Sequence, residues 1–119
     1  MSRSDTILLA DDDLDLREIL VTVLAEAGYH VLEAADGYDA VRILADNWVN
    51  LLITDANMAG IDGFDLARQA RVMRPNIGVI YLSGYTAHRG QAAGPTYGPV
   101  LQKPIRMGDL LDEVSRQLA

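Results

Sequence analysis

The sequence predicts an α/β fold in which helices cover both faces of a five-stranded parallel sheet. Short apolar segments alternate with segments of helical spacing along the 119 residues. The apolar segments are continuous, as in "NLLITD" and "IGVIYLS", which is typical of strands buried on both faces. The chain has the length of one domain with one hydrophobic core. We therefore expect a single doubly wound domain over residues 1–119.

Five apolar segments are predicted to be the strands of this sheet. They are residues 6–10, 29–34, 51–54, 78–82 and 100–102. Right-handed crossovers between parallel strands bring all their carboxyl ends to one edge, where doubly wound proteins bind ligands. Polar residues that follow these strands are therefore candidates for a functional site.

Helices are predicted where apolar residues recur three and four positions apart. The clearest segments are residues 16–27, 40–45, 64–73 and 107–118. Gly28 is expected to cap the first helix, and Pro75 ends the third. The stretch from Gly84 to Pro99, "GYTAHRGQAAGPTYGP", is rich in Gly and Pro. We expect a short or frayed helix there, because each interior Gly costs about 1 kcal/mol relative to Ala.

The composition excludes several functional classes. The net charge is −7 and the basic residues are scattered, so direct binding to nucleic acid is not expected. The absence of cysteine excludes disulfides, thiolate metal sites and cysteine nucleophiles. The first residues, "MSRSDTILLADD", reach carboxylates too soon for a signal peptide or a membrane span. We expect a cytoplasmic protein that does not contact a membrane.

An acidic cluster follows the first predicted strand. The segment "ILLADDDLDLRE" places Asp11, Asp12, Asp13 and Asp15 within five residues. Such close carboxylates repel one another and need a positive partner. Asp13 is a good helix N-cap, and both Asp13 and Asp15 favour the positive end of the helix dipole. Asp11 and Asp12 are therefore the candidate ligands.

Other polar residues follow the remaining strands and are expected to meet this acidic pair. Asp55 follows the third strand, Ser83 the fourth and Lys103 the fifth. Three carboxylates suit a hard cation, above all Mg²⁺, with Mn²⁺ as an alternative. An ionised Asp beside Mg²⁺ can attack phosphorus, and Lys103 and Ser83 could stabilise the transferred oxygens.

These motifs resemble the receiver domain of bacterial two-component response regulators over almost the whole chain. The resemblance is carried by "ILLADDD", "LLITDANMAGIDGFDL", "VIYLSGY" and "LQKP", in that order. It implies a flavodoxin-like (βα)5 sandwich with strand order 2-1-3-4-5. It also implies a phosphorelay module that catalyses only its own phosphorylation and dephosphorylation. Its partners would be a histidine kinase or histidine phosphotransfer protein and an unknown downstream protein.

The resemblance assigns a metal and acceptor site, position by position. Asp55 matches the phosphoacceptor. Asp11 and Asp12 match the acidic pair that holds Mg²⁺ together with Asp55. Asn57 matches the residue whose backbone carbonyl completes the metal shell.

The resemblance also assigns residues around the phosphoryl group. Ser83 matches the switch hydroxyl and Lys103 the lysine that pairs with the phosphate. Gly84 matches the small residue that leaves the acceptor open to a donor. Pro104 matches the proline that follows a cis peptide bond.

The sequence departs from the receiver pattern near the fifth strand. Val100 stands where the family commonly has an aromatic residue that turns inward on activation, and Tyr85 and Tyr97 are candidate substitutes. Tyr85 also lies two residues after Ser83, where we expect it to shield a phosphoryl group from water. Ala59 replaces a common proline in the loop after Asp55.

Four alternatives stand beside a stand-alone receiver. A calcium loop is excluded, because Leu16 and Thr22 occupy positions that require Gly and Glu. A haloacid-dehalogenase-type phosphohydrolase would use Asp11 or Asp13 as its nucleophile. The Asp-x-Asp motif of that family is followed by Thr or Val, whereas Leu14 follows Asp13 and Leu16 follows Asp15 in this sequence. Because Val100 replaces the aromatic residue that takes part in activation, a module that binds partners without phosphorylation remains an alternative. The chain could also be an excised receiver of a hybrid histidine kinase or larger regulator.

Overall fold

A computed structural model describes residues 5–84 and 97–119 of the chain. Within these residues, five parallel strands form one sheet in the order β2-β1-β3-β4-β5. The strands are β1 (Thr6–Ala10), β2 (His30–Ala34), β3 (Leu51–Asp55), β4 (Gly78–Ser83) and β5 (Val100–Gln102). The predicted doubly wound fold and strand order are confirmed.

The described helices follow the predicted apolar periodicity. They are α1 (Leu14–Glu26), α2 (Gly37–Asp46), α3 (Gly63–Met73) and α4 (Met107–Leu118). Asp13 caps α1 by accepting a hydrogen bond from the backbone N–H of Leu16. Gly28, just beyond α1, has a φ of 103°, which suits glycine at a helix C-terminus. Both of these predictions are confirmed. The helix expected between Gly84 and Pro99 falls mainly on residues outside the described ranges.

The three central strands, β1, β3 and β4, are buried on both faces, because helices cover both faces and successive side chains of a strand point in opposite directions. Leu8 joins the apolar cluster formed with α2 and α3. Its neighbours Ile7 and Leu9 join the cluster formed with α1 and α4. This two-sided burial explains why the strand sequences are continuously apolar.

The register of the sheet brings the strand ends to one level. The aligned pairs near this edge are Ala10 with Thr54, Asp55 with Leu82, and Ser83 with Gln102. Gly63, the first residue of α3, packs closely below this edge: a Cβ there would lie 2.2 Å from the carbonyl oxygen of Asp55. Only glycine allows α3 to begin so close to the end of β3.

The opposite edge of the sheet carries the exposed aromatic residue Trp48, which follows α2. Its side chain is 69% exposed, and the guanidinium carbon of Arg74 lies 5.1 Å from its ring centroid. This spacing is typical of a cation–π contact. In the described ranges, no helix combines the length and apolar character that crossing a bilayer requires.

Candidate functional site

Three carboxylates converge at the carboxyl edge of the sheet. One oxygen each of Asp11, Asp12 and Asp55 lies within 4.8 Å of the others. Asp11 and Asp55 are buried, whereas Asp12 is exposed. Carboxylate oxygens are the ligands that hard divalent cations prefer. The geometry therefore provides an acidic site that can hold such a cation.

Asp11 is fixed on one side and unsatisfied on the other. Its Oδ1 accepts a hydrogen bond of 2.8 Å from the backbone N–H of Asp13. Its Oδ2 is buried and has no hydrogen-bond partner among the described residues, although Nζ of Lys103 lies 3.5 Å away as an ion pair. A buried oxygen without any partner costs about 1–3 kcal/mol, and the ion pair with Lys103 offsets part of this cost. The orphaned oxygen fits a position beside a bound cation.

The electrostatic surroundings of Asp11 disfavour its charged form. Burial is the largest cause of its raised pKa, and the neighbouring charges of Asp55 and Asp12 act in the same direction. The hydrogen bond from Asp13 and the charge of Lys103 lower the pKa but do not cancel the rise. A cation at this position would relieve the repulsion among the carboxylates.

Asp55 lies at the end of β3 and is 5% exposed. Its Oδ1 accepts a 3.1 Å hydrogen bond from the backbone N–H of Asn57. Its Oδ2 lies 3.3 Å from Nζ of Lys103. Lys103 therefore bridges Asp55 and Asp11, and its own backbone N–H is held at 2.7 Å by the carbonyl oxygen of Ser83.

The other predicted residues surround this bridge. The fully buried Ser83 donates its hydroxyl to the carbonyl oxygen of Gly84 at 2.8 Å. A Cβ at Gly84 would meet nothing within 4 Å among the described residues. Asn57 is exposed beside Asp55. The Lys103–Pro104 peptide bond is cis.

Of the two tyrosines expected to replace the missing aromatic, Tyr97 is the one within the described residues. Val100 begins β5 and is 39% exposed. Tyr97 donates its backbone N–H to the Tyr81 hydroxyl at 3.3 Å, and its ring lies under Arg71 of α3 at 5.1 Å. Tyr97 is thus already packed against α3. Tyr85 lies outside the described residues, so its expected shielding role stays a prediction.

Arg17 belongs to the site although no motif in the sequence marks it as a functional residue. Its Nη1 donates a 2.6 Å hydrogen bond to the backbone carbonyl of Asp11. The available signal was its position: it is the basic residue within the acidic segment 11–18, one turn after the N-cap Asp13.

Comparison with known proteins shows to which family the chain belongs. Residues 7–115 match the response regulator receiver domain family. The chain is 37% identical over 114 residues to the response regulator receiver protein CpdR of Brucella abortus (strain 2308), covering 94% of this chain and 95% of that protein. It is 33% identical to the sensor kinase CckA of the same organism, covering 99% of this chain but 13% of the kinase.

A solved structure shows the same architecture. The crystal structure of a response regulator receiver protein from Sinorhizobium medicae WSM419 superposes with a TM-score of 0.89 at 31% identity, covering 98% of this chain and 95% of that one. The strand order, the acidic group at the carboxyl edge and the family match all indicate the same family. The chain belongs to the response regulator receiver domain family, the signalling modules of two-component phosphorelays.

Proposed function

We propose that residues 1–119 form a single receiver domain in which Asp55 accepts a phosphoryl group from the phosphohistidine of a histidine kinase or histidine phosphotransfer protein. The observation that carries this proposal is the position of Asp55. It ends a buried strand with one carboxylate oxygen 3.3 Å from Nζ of Lys103 and belongs to the acidic group formed with Asp11 and Asp12.

The chemistry is an in-line transfer to a carboxylate. A carboxylate oxygen of Asp55 forms a bond to phosphorus while the bond from phosphorus to the donor imidazole nitrogen breaks, and the electron pair of that bond returns to the nitrogen. Nζ of Lys103 is placed to neutralise charge on the transferred oxygens. Hydrolysis of the aspartyl phosphate by water later restores Asp55.

Asp11, Asp12, Asp55 and the backbone carbonyl of Asn57 would hold the cation, for which we propose Mg²⁺ or Mn²⁺. The orphaned Oδ2 of Asp11 and the excess of carboxylates support this assignment. A bound Mg²⁺ supplies the positive charge that lets an anionic carboxylate approach an anionic phosphoryl donor.

Ser83 is the proposed switch residue. Its hydroxyl now donates to the neighbouring carbonyl of Gly84, and this single local bond can be exchanged for one to a phosphoryl oxygen. Such a change at the end of β4 would bias the surface beside it toward a second arrangement and alter binding of a downstream protein. The proposed output is therefore a protein contact, without turnover of an external substrate.

The test is the intact mass of the protein after incubation with acetyl phosphate, with Mg²⁺ and with EDTA. The parent protein should gain one phosphoryl group only with Mg²⁺, and Asp55→Asn should gain none. Asp62→Asn is a matched control. Asp62 caps α3 by accepting from the backbone N–H of Asp65, and Asn caps equally well. This control should be phosphorylated like the parent.

Two outcomes would contradict the proposal. A folded parent that binds Mg²⁺ but gains no phosphoryl group would favour a module that binds partners without phosphorylation. Turnover of phosphate esters that survives Asp55→Asn but not Asp11→Asn would favour the phosphohydrolase. The structure gives little support to Asp13 as a nucleophile, because its carboxylate accepts the backbone N–H of Leu16.

A further inference from the structure

Arg17 connects the acidic site to β2, one of the two edge strands of the sheet. Its side chain is 14% exposed and lies on α1. Nη1 donates to the carbonyl oxygen of Asp11 at 2.6 Å, and Nε donates to Oε1 of Glu33 at 3.1 Å. Glu33 belongs to β2 and is 45% exposed. One guanidinium thus spans from β2 to the turn that carries the acidic pair.

This contact completes the backbone bonds of Asp11. The N–H of Asp11 donates to the carbonyl oxygen of Ala34 at 3.1 Å, and its carbonyl oxygen accepts from Arg17. The Asp11 carbonyl and the Asp12 N–H share one planar peptide unit. Fixing that carbonyl therefore fixes the orientation of the peptide that leads into Asp12, whose own side chain is exposed.

Arg17 does not act as the countercharge of the acidic group. Its side chain binds a backbone carbonyl and Glu33, whereas Lys103 forms the ion pairs with Asp11 and Asp55. A guanidinium suits this task because its planar fork directs separate donors to two acceptors, which the single ammonium of a lysine cannot reproduce.

We propose that Arg17 is a positioning residue for the divalent cation: with Glu33 as its anchor, it holds the Asp11–Asp12 peptide in the orientation that presents both carboxylates to the metal. This inference rests on the proposed cation site and assigns a supporting residue to it. Groups that orient metal ligands commonly change metal affinity by 10-fold to 100-fold when removed (about 1.4 to 2.8 kcal/mol).

The direction in which Mg²⁺ affinity changes distinguishes a positioning role of Arg17 from a purely electrostatic one. Removing a positive charge near a cation site should, by electrostatics alone, tighten cation binding. The positioning role predicts the reverse: Arg17→Ala should raise the dissociation constant for Mg²⁺ by about 10-fold. Arg17→Lys should recover part of this loss, because a lysine can still donate to the Asp11 carbonyl. Glu33→Gln should have a smaller effect than Arg17→Ala, because it keeps one oxygen acceptor.

The experiment measures two quantities for each variant: the dissociation constants for Mg²⁺ and Mn²⁺ by calorimetry, and the free energy of unfolding in EDTA. Arg42→Ala is the matched control. Arg42 pairs with Asp39 on α2, its side chain is 67% exposed, and its loss changes the net charge equally. This control should bind Mg²⁺ as tightly as the parent or slightly tighter.

The outcomes are distinguishable. Weaker binding by Arg17→Ala with partial recovery by Arg17→Lys supports the inference. A lower unfolding free energy without weaker binding would overturn it and leave Arg17 a structural role. Equal or tighter binding would overturn it as well. If Arg17→Ala does not fold, Arg17→Lys and Glu33→Gln decide by the same criterion. A parent that binds neither cation would overturn the proposed function together with this inference.

Discussion

The two ends of the sheet use polar side chains in different ways. At the carboxyl end, the charged groups of Asp11, Asp55 and Lys103 face one another, and one carboxylate oxygen has no hydrogen-bond partner among the described residues. At the amino end, long polar side chains bind the backbone. The guanidinium of Arg74 donates to the carbonyl oxygens of Leu44, Asn47 and Met73.

Gln117 shows the same use of a side chain at the amino end. Its Oε1 accepts from the N–H of Val79 at 3.2 Å, and its Nε2 donates to the carbonyl of Val79 at 3.0 Å. The short strand β5 pairs only with Tyr81 to Ser83 of β4, so the amide of Gln117 replaces a strand partner. Nε of Arg74 is itself buried without a hydrogen-bond partner among the described residues, but its other guanidinium nitrogens bind backbone carbonyls. The amino end therefore uses polar side chains mainly to stabilise the backbone, whereas the carboxyl end groups charged side chains where chemistry can occur.

The largest expected difference between the ends lies in phosphoryl transfer. Lys103→Met removes the charge that faces Asp55 and should slow Mg²⁺-dependent phosphorylation by acetyl phosphate about 100-fold or more. Arg74→Ala, at the other end, should leave this rate unchanged. Time courses of intact mass provide the measurement. Equal slowing in both variants would contradict the functional difference between the two ends of the sheet.

Arg74→Ala should produce the largest loss of stability. It removes the partners of three backbone carbonyls and a cation–π contact with Trp48, which should cost about 2–3 kcal/mol of unfolding free energy. Urea denaturation measures the loss. Arg68→Ala is the control, because its pair with Asp65 is more than half exposed and should contribute less than about 1 kcal/mol. Similar losses in both variants would contradict a specific role for Arg74.

Gln117→Ala should have an intermediate effect. It leaves both backbone groups of the buried Val79 without their side-chain partner, which should cost about 1–2 kcal/mol. Arg116→Ala, on the same helix with a side chain 72% exposed, should change stability by no more than about 0.5 kcal/mol. Phosphorylation by acetyl phosphate should be unaffected in either variant. A loss no larger than that of the control would show that water replaces the amide without cost.

The smallest expected effect is a pH dependence at the carboxyl end. Burial raises the pKa of Asp11 above its ordinary value of 3.8, so the folded state holds this proton more tightly than the unfolded state. The stability contributed by protonated Asp11 is present below pH 3.8 and is lost as pH rises through the raised pKa. In EDTA, the unfolding free energy of Asp11→Asn relative to the parent should therefore increase over that range.

Mg²⁺ should reverse the loss of unfolding free energy that the parent shows as pH rises. A cation that binds only the folded state adds to its stability, and Asp11→Asn should gain less from it. Unfolding curves at several pH values, with EDTA and with Mg²⁺, test both statements. Parent and variant curves that stay parallel across the pH range would contradict the assigned burial effect.

The sequence predicted the carboxyl end better than the amino end. Apolar runs located the strands within a residue or so, as with β3, predicted at residues 51–54 and found at Leu51–Asp55. Parallel topology then placed Asp11, Asp55 and Lys103 together. The burial of Asp11 beside an exposed Asp12 depends on packing details that adjacent identical residues do not reveal.

The contacts that the sequence did not predict are made by long side chains that reach from one helix to a strand distant in sequence. Gln117 reaches Val79 from 38 residues away, and Arg17 reaches Glu33 from 16 residues away. Neither lies in an apolar pattern or a recognised motif. Their partners depend on three-dimensional packing, which periodicity and strand-end reasoning do not describe.

Trp48 gives the molecule a natural optical reporter. It is the single tryptophan of the chain, it stacks with Arg74, and it lies at the edge of the sheet opposite Asp55. Its fluorescence should follow the loosening of the amino end during unfolding. A change in its emission when Asp55 is phosphorylated would mean that the signal crosses the full depth of the sheet. Constant emission would mean that the response stays within the strand ends and the loops that join them.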